Sequence, residues 1–462
     1  MLKTLRVAST CNIHFIMNNH ICFGINGSCS VTHWRSFQGS GLFIYSVYSM
    51  MEPVDGKKSK FASENDVISR LPDNVITHIL DRLPLQEAVR TDILSRTWRR
   101  KWNALTKLVF DEAFFEYLNG PNGKKASDSS LGRLLLHFKG TITKFVFYLP
   151  DPYAYHVDVE DLNHWVLFVC RKELQEFELL NFNDDESPIK LPSQLFTCTG
   201  LKHLKLRLCA IRFLPTFHGF PNLLSLDLEN IDFDKGKCGN FIALCPLLEI
   251  LKIIDDTSTC AVNFDVILKL VNLKVLSLSM GFVLDKTTPI TSLDIIQLMC
   301  LLTKLQELNL DFNECKFIAE APDVPVDQKV PNTFLCLRDL KLSHVDFGCD
   351  NFVSFVIEMI SGSPNLHTLE IRVTYDYDFT TYTRSSLVFD CSKMGPLQLQ
   401  NVVIDDSRGS ANEAQLIKYI LACSPLLKKI VINSYDTGKK FWLAKKLLTF
   451  HRVSPVAQIY LK

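Results

Sequence analysis

Residues 201–228 read LKHLKLRLCAIRFLPTFHGFPNLLSLDL, and they contain the spacing apolar-x-x-apolar-x-apolar twice, as Leu201-Leu204-Leu206 and Leu223-Leu226-Leu228. In each copy the last two apolar residues flank a polar one, Lys205 or Asp227, which is the period of a short strand with one face turned in and one turned out. So short a strand cannot bury its inner face alone. Copies stacked side by side can, because each inner row then closes on the next.

Outward from this stretch the spacing recurs. It appears earlier as Ile142-Phe145-Phe147 and Leu174-Phe177-Leu179, and later as Leu248-Leu251-Ile253, Leu273-Leu276-Leu278 and Leu305-Leu308-Leu310. Leu337-Leu340-Leu342, Leu366-Leu369-Ile371, Leu399-Val402-Ile404 and Leu427-Ile430-Ile432 continue it. Successive starts lie between 22 residues (201 to 223) and 33 residues (366 to 399) apart, which spans and slightly exceeds the period of leucine-rich repeats. Helix-like runs return the chain between copies: FIALCP, LDIIQLMCLLTK, FVSFVIEMISGSP and LIKYILACSP. Several stop at Cys245-Pro246, Ser363-Pro364 or Ser424-Pro425, since proline turns the residue before it away from helix. The small polar slot after the strand is filled in only some copies, as by Cys209 and Asn313, which predicts an irregular arc. The expected fold class is α/β, a solenoid over 142–394 with parallel strands on the concave face and helices on the convex face.

Ahead of the repeats, residues 66–110 read DVISRLPDNVITHILDRLPLQEAVRTDILSRTWRRKWNALTKLVF. Pro72 suits a first helical turn, and Val75, Ile76, Ile79, Leu80 and Leu83 follow at three- and four-residue steps, one stripe of a helix. Pro84 ends that helix and opens a second over Leu85–Leu94, presenting Ala88, Val89 and Ile93. Trp98 and Trp102 stand four apart, with Leu105 three further on, which predicts a third turn with both indoles on one face. Three short helices carry more apolar surface than so small a unit can hide. Part of that surface is expected to belong to a partner.

Leu71-Pro72-Asp73, Ile79-Leu80, Leu83-Pro84, Ala88-Val89, Leu94-Ser95 and Trp98-Arg99-x-x-Trp102 together resemble the plant F-box, in register over the whole of 66–110. Thr97 and Lys101 depart from it, standing where that pattern more often has a basic and an apolar residue. The resemblance implies a small three-helix module that docks on a Skp-type adaptor carried by a cullin. Leu71, Pro72, Ile76, Ile79, Leu80, Leu83, Pro84, Leu94, Trp98 and Trp102 are then the candidate adaptor face or its support. A second resemblance covers residues 395–462, where PLQLQNVVI, EAQLIKYILACSPLLKKIVI and KKLLTFHRVSPVAQIYL are similar to the FBD region that ends many plant F-box/leucine-rich-repeat proteins. It departs at Val456-Ala457-Gln458, where an acidic residue is common, and its physical reading is a cap over the last repeat.

Together the resemblances point to an F-box/FBD/LRR protein. They imply a substrate-recognition subunit of a Skp-cullin-F-box (SCF) ubiquitin ligase, with the repeat arc holding a client protein. The alternative is an interaction scaffold that recruits no ligase. The best client-contact candidate by composition is Tyr375, Asp376, Tyr377 and Asp378, because tyrosines anchor interfaces well. Nothing in the sequence identifies a pocket for a small hormone.

Composition limits the other classes. The chain has 462 residues, 47% hydrophobic and 22% charged, long and apolar enough for a large core. Fifty Lys and Arg balance fifty Asp and Glu, so net charge gives no reason to expect nonspecific binding to nucleic acid or membrane. The fifteen cysteines form no C-x-x-C pair, and several sit in apolar runs, which favours a reducing compartment, nucleus or cytoplasm, over a disulfide framework or a zinc site. No apolar run reaches the roughly eighteen residues of a membrane helix. The phosphate-loop, H-E-x-x-H and G-x-S-x-G patterns are absent, so no catalytic, metal-binding or cofactor-binding residue is expected.

The remaining segments are read from composition. Residues 1–50 are acid-poor and broken by polar residues, and are expected to be a disordered or misannotated leader with Met50 or Met51 as the working start. Residues 51–65 form a polar lead-in, and 111–141 a link.

Overall fold

Every copy of the repeat becomes a strand of one parallel sheet. In the computed structural model these are β2 (Lys144–Leu149), β3 (Glu176–Asn181), β4 (His203–Arg207), β5 (Ser225–Glu229), β6 (Ile250–Ile254) and β7 (Val275–Ser279). β8 (Glu307–Asp311), β9 (Asp339–Asp346), β10 (Thr368–Thr374), β11 (Asn401–Ser407) and β12 (Lys429–Ser434) follow. Two further strands extend the sheet to thirteen: β1 (Lys107–Phe110) at one end and β13 (Gln458–Leu461) at the other. Strand order along the sheet follows chain order.

The structure describes residues 70–119, 129–149, 159–183, 187–234, 237–254, 262–280, 290–313, 315, 317–318, 334–375, 396–434 and 437–462, together with the backbone of four strands within residues 2–31.

Register is set by the inner rows. The first runs from Leu108 through Phe145, Phe177 and Leu204 to Ile430 and Ile459, the second from Phe110 through Phe147, Leu179 and Leu206 to Ile432 and Leu461. A one-residue slip anywhere would turn a strand's whole apolar set to water, so each strand fixes the next. From β1 to β12 both rows are buried, as are the leading apolar residues from Ile142 to Leu427.

The returning segments vary. α5 (Val159–Cys170), α6 (Lys237–Ala243), α8 (Ser292–Leu301), α9 (Asp350–Ser361) and α10 (Ala411–Cys423) are preceded by shorter helices in the first part of the chain, while α7 is the single turn Phe264–Ile267. α6, α9 and α10 end just before Cys245-Pro246, Ser363-Pro364 and Ser424-Pro425, where the sequence places their stops. After several strands the chain turns through a left-handed residue two places past the second inner residue: Leu208, Asn230, His344 and Asp406. At His344 and Asp406 the turn coincides with a register shift against the neighbouring strand. The slot reading holds for Cys209, which is fully buried, but not for Asn313, which is exposed and donates its N–H to Asp311 Oδ1 at 3.0 Å.

Three expectations change. The link at 111–141 contains α3 (Glu112–Asn119) and α4 (Ser129–Leu135), which bury Phe114, Phe115, Leu131, Leu134 and Leu135. Its polar residues drew attention away from an apolar set at helical spacing. The leader at 1–50 was expected to be disordered or misannotated; within it Leu2–Val7, Cys11–Ile16, His20–Ile25 and Ser28–Val31 form an antiparallel sheet in chain order. In the last pair Ile25 stands opposite Ser28. Among the described cysteines nine are free thiols, while Cys238 is disulfide-bonded, one more bond than the sequence suggested.

Candidate partner-binding surfaces

The head begins with α1 (Asp73–Leu80) and α2 (Leu85–Arg90), each opened by a proline in extended conformation, Pro72 and Pro84. A proline just ahead of a helix has no N–H to leave unpaired there. α2 runs on into a 3-10 turn, Thr91–Ile93. The expected third helix does not form. Arg100 adopts a left-handed conformation (φ 61°), its N–H donates to Asp92 Oδ1 at 2.6 Å, and only the 3-10 turn Lys101–Ala104 follows. Trp98 and Trp102 are nonetheless both buried.

Burial sorts the ten sequence candidates. Ile76, Ile79, Leu80, Trp98 and Trp102 are core residues of the head. Leu71, Leu83 and Leu94 are half-buried against that core, and Pro72 and Pro84 are exposed. Ile93, which the sequence placed on the second helix with Ala88 and Val89, is 47% exposed. An apolar rim made of Leu71, Pro72, Leu83, Pro84, Ile93 and Leu94 is therefore left on the surface around a closed core. Periodicity could not show this split, because a stripe marks the apolar side of a helix without saying which of its residues a neighbour covers.

The head is built into the sheet. Trp102 meets Phe138 edge-on at 5.5 Å and His137 at 6.0 Å, beyond α4, and its indole N–H has no acceptor among the described residues. Asp81, at the end of α1, accepts from the Thr106 N–H (2.9 Å) and the Thr106 hydroxyl (2.7 Å), immediately before β1. β1 then pairs with β2 through Leu108–Phe145 and Phe110–Phe147. Strand pairing, side-chain hydrogen bonds and ring contacts thus all cross the junction.

A second surface is the outward side of the strands, where charged residues alternate with the inner rows. Lys144 bridges Glu176 (3.0 Å) and Glu178 (2.9 Å), Lys205 lies 3.5 Å from Asp227, Arg207 pairs with Glu229 (2.7 Å), and Lys341 with Glu370 (3.1 Å). Burial lowers the tendency of Lys144 to stay charged, but hydrogen bonds and attraction from Glu178 and Glu176 outweigh it and raise its pKa. At the C-terminal ends of β2 to β4 an aromatic cluster interrupts this ladder: Tyr148 stacks on Phe182 at 5.6 Å, and the Arg207 guanidinium lies 4.6 Å from the Phe182 ring centre. Phe182 is 45% exposed. The sequence reading missed this cluster because its members come from different repeats. Their positions, one to three residues past the second inner residue, were the available signal.

The composition-based client candidate is corrected at Tyr375. Alternation in β10 continues beyond the consensus, so that Leu369, Ile371, Val373 and Tyr375 all point inward, and Tyr375 is buried. Its hydroxyl donates to the Glu413 carboxylate, which also accepts from the Ser407 hydroxyl and from the backbone N–H groups of Arg408 (3.1 Å), Gly409 (3.2 Å) and Ser410 (3.2 Å). Burial, then the Glu413 charge, push the Tyr375 phenol well above its ordinary pKa. A residue so enclosed is a structural post rather than a contact. Asp376, Tyr377 and Asp378 lie outside the described residues. Among the described residues no group of three or more His, Cys, Asp or Glu is placed to hold a metal ion, and no helix is long and apolar enough to cross a membrane.

Comparison with known proteins agrees with both parts. Residues 68–109 match the F-box domain, and residues 162–287 match the leucine-rich repeats described for the FBD-associated F-box protein At5g56370. Three Arabidopsis thaliana proteins are similar over most of their length. The F-box/FBD/LRR-repeat protein At1g13570 is 29% identical, covering 85% of this chain and 98% of its own. F-box/LRR-repeat protein 13 is 24% identical (87% and 97%), and the FBD-associated F-box protein At5g38590 is 25% identical (83% and 97%). Fold and matches define the class as an F-box head joined to a leucine-rich-repeat solenoid. The chain carries an F-box and is similar over most of its length to F-box/FBD/LRR-repeat proteins.

Proposed function

We propose that the chain is the substrate-recognition subunit of an SCF-type ubiquitin ligase, its F-box docking a Skp-type adaptor and, through it, a cullin. The observation that supports this most is the apolar rim of the head. Leu71, Leu83 and Leu94 are only half covered, and Pro72, Pro84 and Ile93 are exposed, around a core in which Ile76, Ile79, Leu80, Trp98 and Trp102 are enclosed. A head evolved to stand alone would carry polar residues at those places.

In this reading the chain performs no chemistry and binds no cofactor. It holds a client near a ubiquitin-loaded partner, and its contribution is proximity and orientation. A head fused through β1 into the client-bearing sheet suits that task, since a fixed spacing limits the volume a client lysine explores. The client contact is placed on the outward side of the strands, with the Tyr148–Phe182–Arg207 cluster as its anchor. The complex would work in the nucleus or cytoplasm.

The test is co-purification of a Skp-type adaptor with the full chain and with three variants. Leu71→Ala/Pro72→Ala and Ile93→Asp alter the rim and should abolish recovery while leaving the melting temperature near wild type. Phe182→Ala, on the sheet, should leave recovery unchanged. Undiminished adaptor recovery from both rim variants, or none from wild type, would leave the non-ligase scaffold as the reading.

A further inference from the structure

At the last strand the two inner rows come to the surface. Ile459 and Leu461 are half-exposed, whereas Ile430 and Ile432, opposite them on β12, are fully buried. β13 is the end of the sheet. Gln458 and Lys462 give their N–H groups to the carbonyls of Lys428 and Ile432. Because N–H groups alternate sides along a strand, those of Ile459 and Leu461 point away from β12, where no strand of the described residues receives them.

The terminal unit also includes α11 (Thr437–Leu447), which packs beside α10 and sends Leu443 and Leu447 into the core. Its other side exposes Phe441 (76%), and Leu448 (82%) and Val456 (64%) follow it on the surface. The Lys446 ammonium lies 4.3 Å from the Trp442 ring centre. Charge is one-sided here. Residues 437–462 contain Lys439, Lys440, Lys445, Lys446, Arg452 and Lys462 and no Asp or Glu, in a chain whose charges cancel only when counted as a whole.

We propose that this end receives an extended, acidic segment of another protein, added to β13 as a further strand. Its backbone carbonyls would accept the outward N–H groups of Ile459 and Leu461, its apolar side chains would cover those two residues, and its carboxylates would meet the lysines and arginine. The other occupants fit less well. A lipid surface would leave the polar strand edge unsatisfied in hydrocarbon. A second copy would bring six like charges against six. A nucleic-acid strand would match the cations but leave Leu448, Val456 and the strand edge uncovered. The proposal is independent of adaptor binding at the opposite end of the sheet.

The experiment uses the full chain and a fluorescein-labelled peptide of alternating valine and glutamate, with a valine–lysine peptide, phosphatidylserine-containing vesicles and an oligo-deoxythymidine as competitors. The glutamate peptide should bind at least about tenfold more tightly than the lysine peptide and weaken as salt is raised. On binding, the amides of Ile459 and Leu461 should gain hydrogen-exchange protection. Lys445→Glu/Lys446→Glu should weaken binding by about tenfold with the melting temperature unchanged. Equal binding of the two peptides, unchanged exchange at Ile459 and Leu461, or preferential displacement by vesicles or oligonucleotide would each overturn the proposal. So would a dimer in sedimentation whose Ile459 and Leu461 amides are already protected without peptide.

Discussion

The two ends of the sheet are made of the same alternation and finished in opposite ways. At β1, Leu108 and Phe110 are as deeply buried as any residue in the middle of the solenoid, because α3 and the F-box head close over them; Phe110 meets Phe114 at 5.0 Å and Phe145 at 5.8 Å. At β13, Ile459 and Leu461 hold the equivalent places and remain half-exposed. A repeat satisfies its neighbour and leaves its own outer side unsatisfied, so the last unit at each end needs something that is not a repeat. The head supplies this at one end, and transfers the exposed apolar surface to its own rim. Both ends of the molecule thus present a place where another protein can complete the burial.

The largest effect expected from this contrast is at the closed end. Phe110→Ala should cost about 3–5 kcal/mol, the range for emptying a buried aromatic site, measured by the shift of the denaturant midpoint. Leu461→Ala, in the same row at the open end, should cost only about 1 kcal/mol, since much of that side chain already meets water. Equal costs would mean that the two ends are equally closed and would remove the contrast.

Tyr375→Phe falls between these in size. It takes one donor from the enclosed Glu413 carboxylate, and a loss of about 1–3 kcal/mol is expected. That loss should appear first in exchange of the α10 amides rather than in the head, because Glu413 lies in the first turn of α10.

The smallest effect is a pH dependence that distinguishes two groups. The Tyr375 phenol and the Lys144 ammonium both have pKa values raised in the folded chain. For each, the stabilisation is complete below the unfolded pKa, about 10 for tyrosine and 10.4 for lysine, and is lost as pH rises through the folded value. Stability should therefore be flat near neutrality from these groups and fall only in alkali. Tyr375→Phe should remove most of that alkaline slope and Lys144→Met little of it, as the Lys144 ion pairs lie at the surface, where water screens them. An equal loss from Lys144→Met would show that the outward ladder carries more of the stability than its exposure allows.

The eleven copies of the repeat were legible because their inner residues recur at one spacing, and each became a strand in the expected register. β1 and β13 were not recognised as strands: one was read as the end of the head, the other as part of a cap. Leu105, Leu108 and Phe110 carry the same spacing as the eleven copies, but they lie within the F-box stretch and were read with it; pairing with β2 shows them to be a strand of the sheet. Tyr375 shows the opposite error. Its tract read as a client contact by composition, while the alternation of Leu369, Ile371 and Val373 already carried Tyr375 inward. On the head, proline positions and helical spacing located α1 and α2, but the left-handed Arg100 has no local mark and is held by Asp92 from eight residues away.

What the amino-acid order settled by itself was the period: where strands fall, which side of each is apolar, and where prolines stop the helices between them. These are short-range matters, decided within a few residues by chain geometry and the aversion of apolar groups to water. Tertiary structure alone decided which apolar residues remained uncovered. Pro72, Pro84 and Ile93 on the head, Phe182 on the outward side of the strands and Leu461 at the last edge read no differently in the sequence from residues that are fully enclosed. Burial depends on what arrives from elsewhere in the chain, and the surfaces proposed here for partners are the places where little or nothing did.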